Sequence, residues 1–218
     1  MLKMVQGVIN FHKNILPGLR HQFAQLGNGQ SPDTLMIACS DSRVVPNLFA
    51  STDPGDLFVI RNPGNLVPPY QNTTTTQTSE GAAIEIAVDT LKVKDIIVCG
   101  HSHCAGMTAL LNEEKATPQL KQWLRHGQKA KGTFHLGKTF NDSLPATEQL
   151  SQLNVMSQLE NLKTYPEVLD HLKAGTLRLH GWWFDIAAGN VYAFDPEEKK
   201  FLIIDEKQGA KILQRLTT

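Results

Sequence analysis

The apolar positions in the first half of the chain fall into three short runs. They occupy residues 35–38, 57–60 and 96–99, and each run is apolar at every position. Such runs are typical of strands that are buried on both faces of a parallel sheet. Between the second and third runs, residues 80–91 place apolar side chains on one helical face, and Ser79 is predicted to cap that helix. The order strand, helix, strand predicts an α/β fold with right-handed crossovers.

The N-terminal segment has a different pattern. Residues 1–27 place apolar side chains at helical spacing, which predicts an amphipathic helical arm that ends near Gly27 and is kinked or divided at Pro17. The polar stretch 62–78 contains two consecutive prolines and predicts a loop. Helical patterns follow at residues 107–112, 119–129, 148–163 and 166–174, and strand-like runs at 177–180, 182–186, 191–194 and 201–204.

Together these elements predict a single domain over residues 1–218. We expect a Rossmann-like, mostly parallel sheet of about four strands flanked by helices, with a C-terminal antiparallel strand or hairpin. The helical arm takes residues 1–27, the core with the candidate chemistry takes 28–112, and a helical and C-terminal strand region takes 113–218.

Composition narrows the class of partner. Lys plus Arg equals Asp plus Glu at 21 each, so no net charge attracts nucleic acid or an anionic membrane surface. No apolar run approaches the roughly 20 residues of a membrane span, and the first residues do not resemble a signal peptide. We therefore expect a cytoplasmic protein that acts on a small molecule. The three cysteines are an odd number, so metal binding or catalysis is more plausible than a disulfide framework.

Two segments supply candidate metal ligands. Cys39 follows the first strand, and His101 and Cys104 follow the third, so all three lie where reactive groups collect in parallel sheets. Two thiolates and one imidazole suit zinc, and three protein ligands leave the fourth position open, which is typical of a catalytic site. The alternative is that Cys39 and Cys104 are small buried core residues. Cys99 lies within an apolar strand and is predicted to be core, whereas His103 is predicted to be exposed.

A second cluster adjoins the first ligand. Asp41 and Arg43 are two residues apart in a turn and can form a bidentate pair that keeps the carboxylate ionised. Beside a zinc ion, Asp41 can accept a hydrogen bond from bound water, or it can become a fourth ligand when Arg43 releases it. The alternative role for Asp41 is to cap the short helix that follows Val45 and Pro46.

These motifs form a pattern known from one enzyme family. The sequence Cys-Ser-Asp-Ser-Arg at 39–43, followed about 60 residues later by Gly-His-Ser-x-Cys at 100–104, closely resembles the β-class carbonic anhydrases of the plant-like subgroup. Further similar segments lie at 29–32, 54–56, 61–62, 65–69 and 81–85, and residues 28–112 carry most of the resemblance. It implies one Zn²⁺ per chain, held by Cys39, His101 and Cys104, with Asp41 and Arg43 beside the bound water.

The resemblance also implies a substrate pocket and an assembly. Gln30 matches a position whose amide contacts substrate, Phe58 matches an apolar wall of the carbon dioxide pocket, and Ala105 replaces a common glycine that contacts bicarbonate. The family implies a homodimer or homotetramer in which the N-terminal arm embraces a partner and active sites lie at the interface. The chain departs from similar members at Pro63 and Ile86. Met36 stands where members with an inhibitory bicarbonate site carry tryptophan, so we expect this chain to lack that site.

The implied reaction is the reversible hydration of carbon dioxide to bicarbonate and a proton by zinc-bound hydroxide. Zinc lowers the pKa of bound water from about 15.7 to about 7, and two thiolates oppose that effect, so activity should increase with pH. His103 is a candidate for the group that passes the proton to buffer. One alternative is hydrolysis of carbonyl sulfide or carbon disulfide on the same scaffold. Another is a non-catalytic zinc-stabilised interaction module, which would close the site with four protein ligands and would not need Asp41 and Arg43.

Overall fold

A six-stranded sheet organises the chain. The computed structural model describes residues 1–71 and 78–217. Strand order is β2-β1-β3-β4-β5-β6; the first four are parallel, and β5 and β6 are antiparallel to their neighbours. The strands are β1 Thr34–Cys39, β2 Leu57–Asn62, β3 Asp95–His101, β4 Arg178–Asp185, β5 Asn190–Asp195 and β6 Lys200–Ile203. The predicted mostly parallel sheet with a C-terminal antiparallel hairpin is confirmed.

The apolar runs inside β1 and β3 are buried because both faces of these strands are covered. Alternate side chains point to opposite faces of a sheet. Leu35 and Ile37 of β1 belong to one buried cluster, whereas Met36 and Ala38 belong to another on the opposite face. Helices flank the sheet, and this double cover explains why the first and third runs have no polar position. The prediction of burial on both faces is wrong for the second run, which forms the edge strand β2 and leaves Val59 exposed.

The helices form in the segments between strands and at both ends of the chain. They are α1 Leu2–Asn10, α2 Leu16–Leu26, α3 Pro46–Phe49, α4 Ser79–Glu85, α5 Ala105–Leu111, α6 Pro118–Leu124, α7 Gln128–His135, α8 Ala146–Leu162, α9 Pro166–Lys173 and α10 Glu206–Thr217. Among the described residues, no helix combines the length and apolar character needed to cross a membrane.

The N-terminal arm is helical and divided, as predicted. A π-helical segment, Phe11–Ile15, joins α1 to α2, in which Pro17 is the second residue, and Gly27 follows the last residue of α2 as its C-cap. Neither α1 nor α2 buries a residue in the chain.

Several element boundaries differ from the sequence prediction. The cap of α4 is Thr78 and not Ser79, because Thr78 has extended backbone angles and its Oγ1 accepts the Gly81 N–H at 3.2 Å. The predicted helix over 119–129 is divided into α6 and α7 by a 3₁₀ turn, Arg125–Gly127. The runs 177–180 and 182–186 form the single strand β4. Of the predicted loop 62–78, residues 72–77 lie outside the described part of the chain.

The helix α10 was not predicted from the sequence. It is held by tertiary contacts, in which Gln208 Nε2 and Arg215 Nη2 donate to the buried Asp195 carboxylate at 2.8 and 2.7 Å. Arg178 Nη1 also donates to the Leu216 carbonyl oxygen at 2.9 Å. These partners are distant in sequence, so helical spacing alone does not indicate them.

Candidate metal centre

Three ligand-type side chains meet at the carboxyl ends of the central strands. Cys39 ends β1, His101 ends β3, and Cys104 is the residue directly before α5. Because β1 and β3 are neighbouring parallel strands, their ends place these groups side by side. The ligand atoms lie within 4.8 Å of one another, and all three residues are buried. The structure therefore brings together the three residues that the sequence predicted to be metal ligands.

The geometry of this group suits a zinc ion. The two Sγ atoms are 4.0 Å apart, close to the roughly 3.8 Å expected for two sulfurs that each bind one tetrahedral zinc at about 2.3 Å. His101 Nδ1 is 2.8 Å from the Ser102 carbonyl oxygen and can only donate to it. That bond leaves the lone pair on Nε2, and Nε2 is buried without a hydrogen-bond partner. An unpartnered imidazole nitrogen beside two sulfurs is the donor set that zinc prefers.

The surroundings shift the pKa values of the two thiols in opposite directions. The Cys104 thiol, His101 and the Gly64 N–H, which is 3.3 Å from Cys39 Sγ, lower the pKa of Cys39 although burial raises it. The hydrogen bond to Cys39 and burial raise the pKa of Cys104, although the Met107 and Gly106 N–H groups oppose the shift. One thiolate is therefore favoured at Cys39, and metal binding must displace the remaining proton from Cys104.

The Asp41 and Arg43 side chains form the bidentate pair that the sequence predicted. Arg43 Nε and Nη2 donate to the two carboxylate oxygens of Asp41 at 2.9 and 2.7 Å, and the Arg43 backbone N–H donates to Oδ1 at 3.0 Å. These hydrogen bonds from Arg43 hold the pKa of Asp41 well below its ordinary value. The capping role is not observed, since no side chain caps α3, which begins after Val45. Both Asp41 oxygens are occupied by Arg43, and a role of Asp41 as fourth metal ligand stays a prediction.

Arg61 holds the turn that carries this pair, a role that the sequence reasoning missed. Its Nη2 donates to the carbonyl oxygens of Cys39 and Asp41, both at 2.6 Å, and its Nε donates to the Cys39 carbonyl oxygen at 3.0 Å. The available signal was its place near the end of β2, next to the end of β1 in a parallel pair.

The two other ligand-type residues nearby have the expected locations. Cys99 is fully buried in the core, and burial raises its pKa to about 12, so it remains a thiol. The side chain of His103 is 63% exposed, and its Nδ1 is 3.3 Å from Glu148 Oε1. Its backbone φ of 52° is unusual for a residue other than glycine.

The predicted substrate-pocket residues are more scattered. Ala105 is exposed and directly follows Cys104. Phe58 lies four residues before Asn62, the β2 neighbour of Cys39, and hence about 13 Å along the strand from that end of the sheet. Gln30 is exposed beside the end of α2 and the turn at 54–56. Of these three residues, the fold places only Ala105 next to a candidate ligand in the same chain.

This fold and site define a class: an α/β protein with a buried Cys₂His metal centre at the carboxyl edge of a parallel sheet. Comparisons with known proteins give the family. The family model described as "Carbonic anhydrase" matches residues 34–191. A carbonic anhydrase of Synechocystis is 39% identical over 89% of this chain and 71% of its own length, and one of Pseudomonas aeruginosa is 38% identical over 94% and 93%.

Solved structures lead to the same family. The β-carbonic anhydrase CcaA superposes with a TM-score of 0.86 at 39% identity, over 93% of this chain and 98% of that one. A β-carbonic anhydrase of Sordaria macrospora, described as tetrameric, has a TM-score of 0.70 at 32% identity, over 88% and 92%. The chain belongs to the β-carbonic anhydrases. These are zinc enzymes, and Cys39, His101 and Cys104 form a group that can hold the ion.

Proposed function

We propose that this chain catalyses the reversible hydration of carbon dioxide to bicarbonate and a proton, with zinc held by Cys39, His101 and Cys104. The main observation that supports this proposal is that two sulfurs and a buried imidazole Nε2 without a hydrogen-bond partner lie together at one edge of the sheet. The described residues contribute three ligands to this group and not four, which favours an open catalytic site over a closed structural one.

The residues around the group have separable roles. Zinc bound there acts as a Lewis acid that makes a nucleophile available from water near neutral pH. The Asp41 carboxylate, kept ionised by Arg43, accepts a hydrogen bond from the reacting water and orients it towards carbon dioxide. The Gly64 N–H donates to Cys39 Sγ and withdraws charge from that thiolate. The water adds its oxygen to the carbon of carbon dioxide and loses one proton, which gives bicarbonate and the proton released to solvent.

The substrate pocket is proposed to involve a second copy of the chain. Ala105 borders the site from the start of α5, whereas Gln30 and Phe58 lie away from it in the same chain. We propose that they contribute to the pocket of a partner in a homodimer or homotetramer. The exposed apolar arm and the tetrameric Sordaria relative support an assembly. A cytoplasmic location stays a prediction.

The decisive experiment compares two cysteine variants. Cys104→Ala removes a proposed ligand, so zinc content and carbon dioxide hydration should both fall to near background across pH 6–9. Cys99→Ala is the matched control, because it truncates a buried cysteine that lies outside the ligand group. It should retain zinc and activity at a cost of about 1 kcal/mol in unfolding free energy.

A zinc-loaded wild type that does not hydrate carbon dioxide would overturn the proposed function. The same preparation should be assayed with carbonyl sulfide and carbon disulfide, and preferential hydrolysis of either gas would support that alternative. Zinc retained by Cys104→Ala would contradict the ligand assignment. Wild-type activity is expected to increase with pH, since the nucleophile forms by loss of a proton from water.

A further inference from the structure

A row of buried polar side chains on α8 contacts the backbone around the metal centre. The α8 polar row consists of Glu148, Ser151 and Asn154, which are spaced three residues apart and so share one side of the helix. Each is at least 96% buried. Buried polar groups are costly unless they are hydrogen-bonded, so their partners are informative.

Each member of the α8 polar row bonds to a segment that carries or borders a proposed ligand. Ser151 Oγ donates to the His101 carbonyl oxygen at 2.9 Å. Glu148 Oε1 accepts a hydrogen bond from the His103 backbone N–H at 3.2 Å. His103 lies between the proposed ligands His101 and Cys104 and has the unusual positive φ. Asn154 Nδ2 donates to the Gly64 carbonyl oxygen at 3.0 Å.

The Asn154 bond reaches a ligand through a single residue. The carbonyl of Gly64 is held by Asn154, while its N–H donates to Cys39 Sγ at 3.3 Å. The opposite side of Gly64 is also confined, since a Cβ on Gly106 would lie 3.0 Å from Gly64 Cα. Gly64 is therefore fixed between Asn154, the start of α5 and the Cys39 sulfur.

We infer that the α8 polar row is a positioning element that sets the Cys39 side of the metal centre at a fixed distance from the His101 and Cys104 side. The inference rests on the proposed zinc site. On one side the Cys39 sulfur accepts from Gly64 in the turn 62–67, on the other side His101 and Cys104 belong to the segment 101–104, and α8 bonds to both segments. Hydrogen-bond partners of this kind outside the ligand set typically change metal affinity or activity by 10–100-fold.

The chain offers a matched pair of variants for the test. Asn154 bonds to the Gly64 carbonyl oxygen and accepts from Gln158 Nε2 at 2.8 Å. Asn161 lies on the same helix and donates to the Val67 carbonyl oxygen at 2.9 Å and to Gln158 Oε1 at 3.0 Å. Each truncation to alanine therefore removes one bond to the same turn and one bond to Gln158, but only Asn154 contacts the residue that donates to Cys39 Sγ.

The measurements are zinc release to a competing chelator and urea unfolding of the zinc-free protein. Asn154→Ala should release zinc about 10–100-fold faster than wild type, whereas Asn161→Ala should release it at a rate close to wild type. A merely structural role of Asn154 predicts that zinc release follows the loss of unfolding free energy in both variants, and that result would overturn the inference.

Ser151→Ala keeps the test decisive if Asn154→Ala does not fold. It removes a hydroxyl that donates to the His101 carbonyl oxygen and accepts from Trp183 Nε1 at 3.2 Å, and it should also accelerate zinc release, because the His101 carbonyl loses its anchor. Wild-type release from Ser151→Ala would then contradict the inference. A wild-type chain that holds no zinc would instead overturn the proposed function, and this inference with it.

Discussion

At the scale of single residues, the Asp41–Arg43 pair shows how a short motif specifies an electrostatic state. Two side-chain bonds and one backbone bond from Arg43 hold the Asp41 carboxylate in one orientation and lower its pKa. The identity and spacing of these residues predicted that a bidentate pair can form, and the structure decided between that pair and the alternative capping role of Asp41.

Replacement of Arg43 tests this pair. Arg43→Leu should lower kcat/KM for carbon dioxide hydration by about 10–100-fold while zinc is retained, since Asp41 loses both side-chain bonds. The pKa of Asp41 should rise towards its ordinary value of about 3.9. A lowered folded-state pKa stabilises the fold above that ordinary value, and the stabilisation is lost as pH falls through the folded-state pKa.

The difference in unfolding free energy between wild type and Arg43→Leu should therefore be largest near neutral pH and shrink below about pH 4. Urea unfolding at a series of pH values measures it, and a difference independent of pH would contradict the assignment. Arg43→Lys is the control, because lysine keeps the charge and lacks the planar fork. Full activity in Arg43→Lys would show that charge alone is sufficient.

At the scale of elements, α8 is the helix whose contacts depend most on the tertiary structure. Its sides are buried almost throughout, so it carries polar and apolar residues without a clear amphipathic face. The sequence predicted the helix and its approximate bounds. It did not indicate the role of the α8 polar row, because the partners are backbone atoms 45 to 90 residues away. The only available signal was the three-residue spacing of polar side chains inside a long helix.

Close packing of α8 on the sheet gives an element-scale prediction. A Cβ at Gly100, directly before His101, would lie 2.7 Å from Val155 Cγ2 and 3.0 Å from Ser151 Oγ. Gly100→Ala should therefore displace α8 from β3, lower the unfolding free energy by about 1–3 kcal/mol and accelerate zinc release.

The control for Gly100→Ala is Gly132→Ala. Gly132 lies in α7, and a Cβ there would meet nothing within 4 Å. The substitution should stabilise the fold by about 0.5–1 kcal/mol through helix propensity and leave zinc release unchanged. Urea unfolding and chelator competition measure both effects, and wild-type behaviour of Gly100→Ala would contradict the packing argument.

At the scale of the whole molecule, the N-terminal arm has an apolar surface that a single chain leaves exposed. Met4, Val5, Val8 and Ile9 form an apolar side of α1 and are each at least half exposed. A continuous apolar surface of this kind is typical of an interface. The end of α2 is fixed to the body, since Gln22 Nε2 donates to the Pro54 carbonyl oxygen at 3.2 Å.

Substitutions on α1 test the proposed assembly. Replacement of Val5, Val8 and Ile9 by serine should shift the protein to a smaller species in analytical ultracentrifugation, because apolar contacts with a partner are lost. Replacement of Lys3, Gln6 and Asn10 by serine is the control, because these residues lie on the opposite side of the same helix. It should leave the sedimentation coefficient unchanged. Equal behaviour of the two triple variants would contradict an arm-mediated interface.

The sequence by itself determined which residues form the candidate metal site and where most of the strands lie. The first and third apolar runs predict strands covered on both faces, and ligand-type residues soon after both runs predict a site, because neighbouring parallel strands end at one edge. The tertiary structure decided what depends on several elements at once: the unpartnered Nε2 of His101, the confinement of Gly64, the division of α6 from α7, and the docking of α10. Sequence periodicity reports the burial of one element at a time, whereas these features depend on contacts between elements that the chain brings together only when it folds.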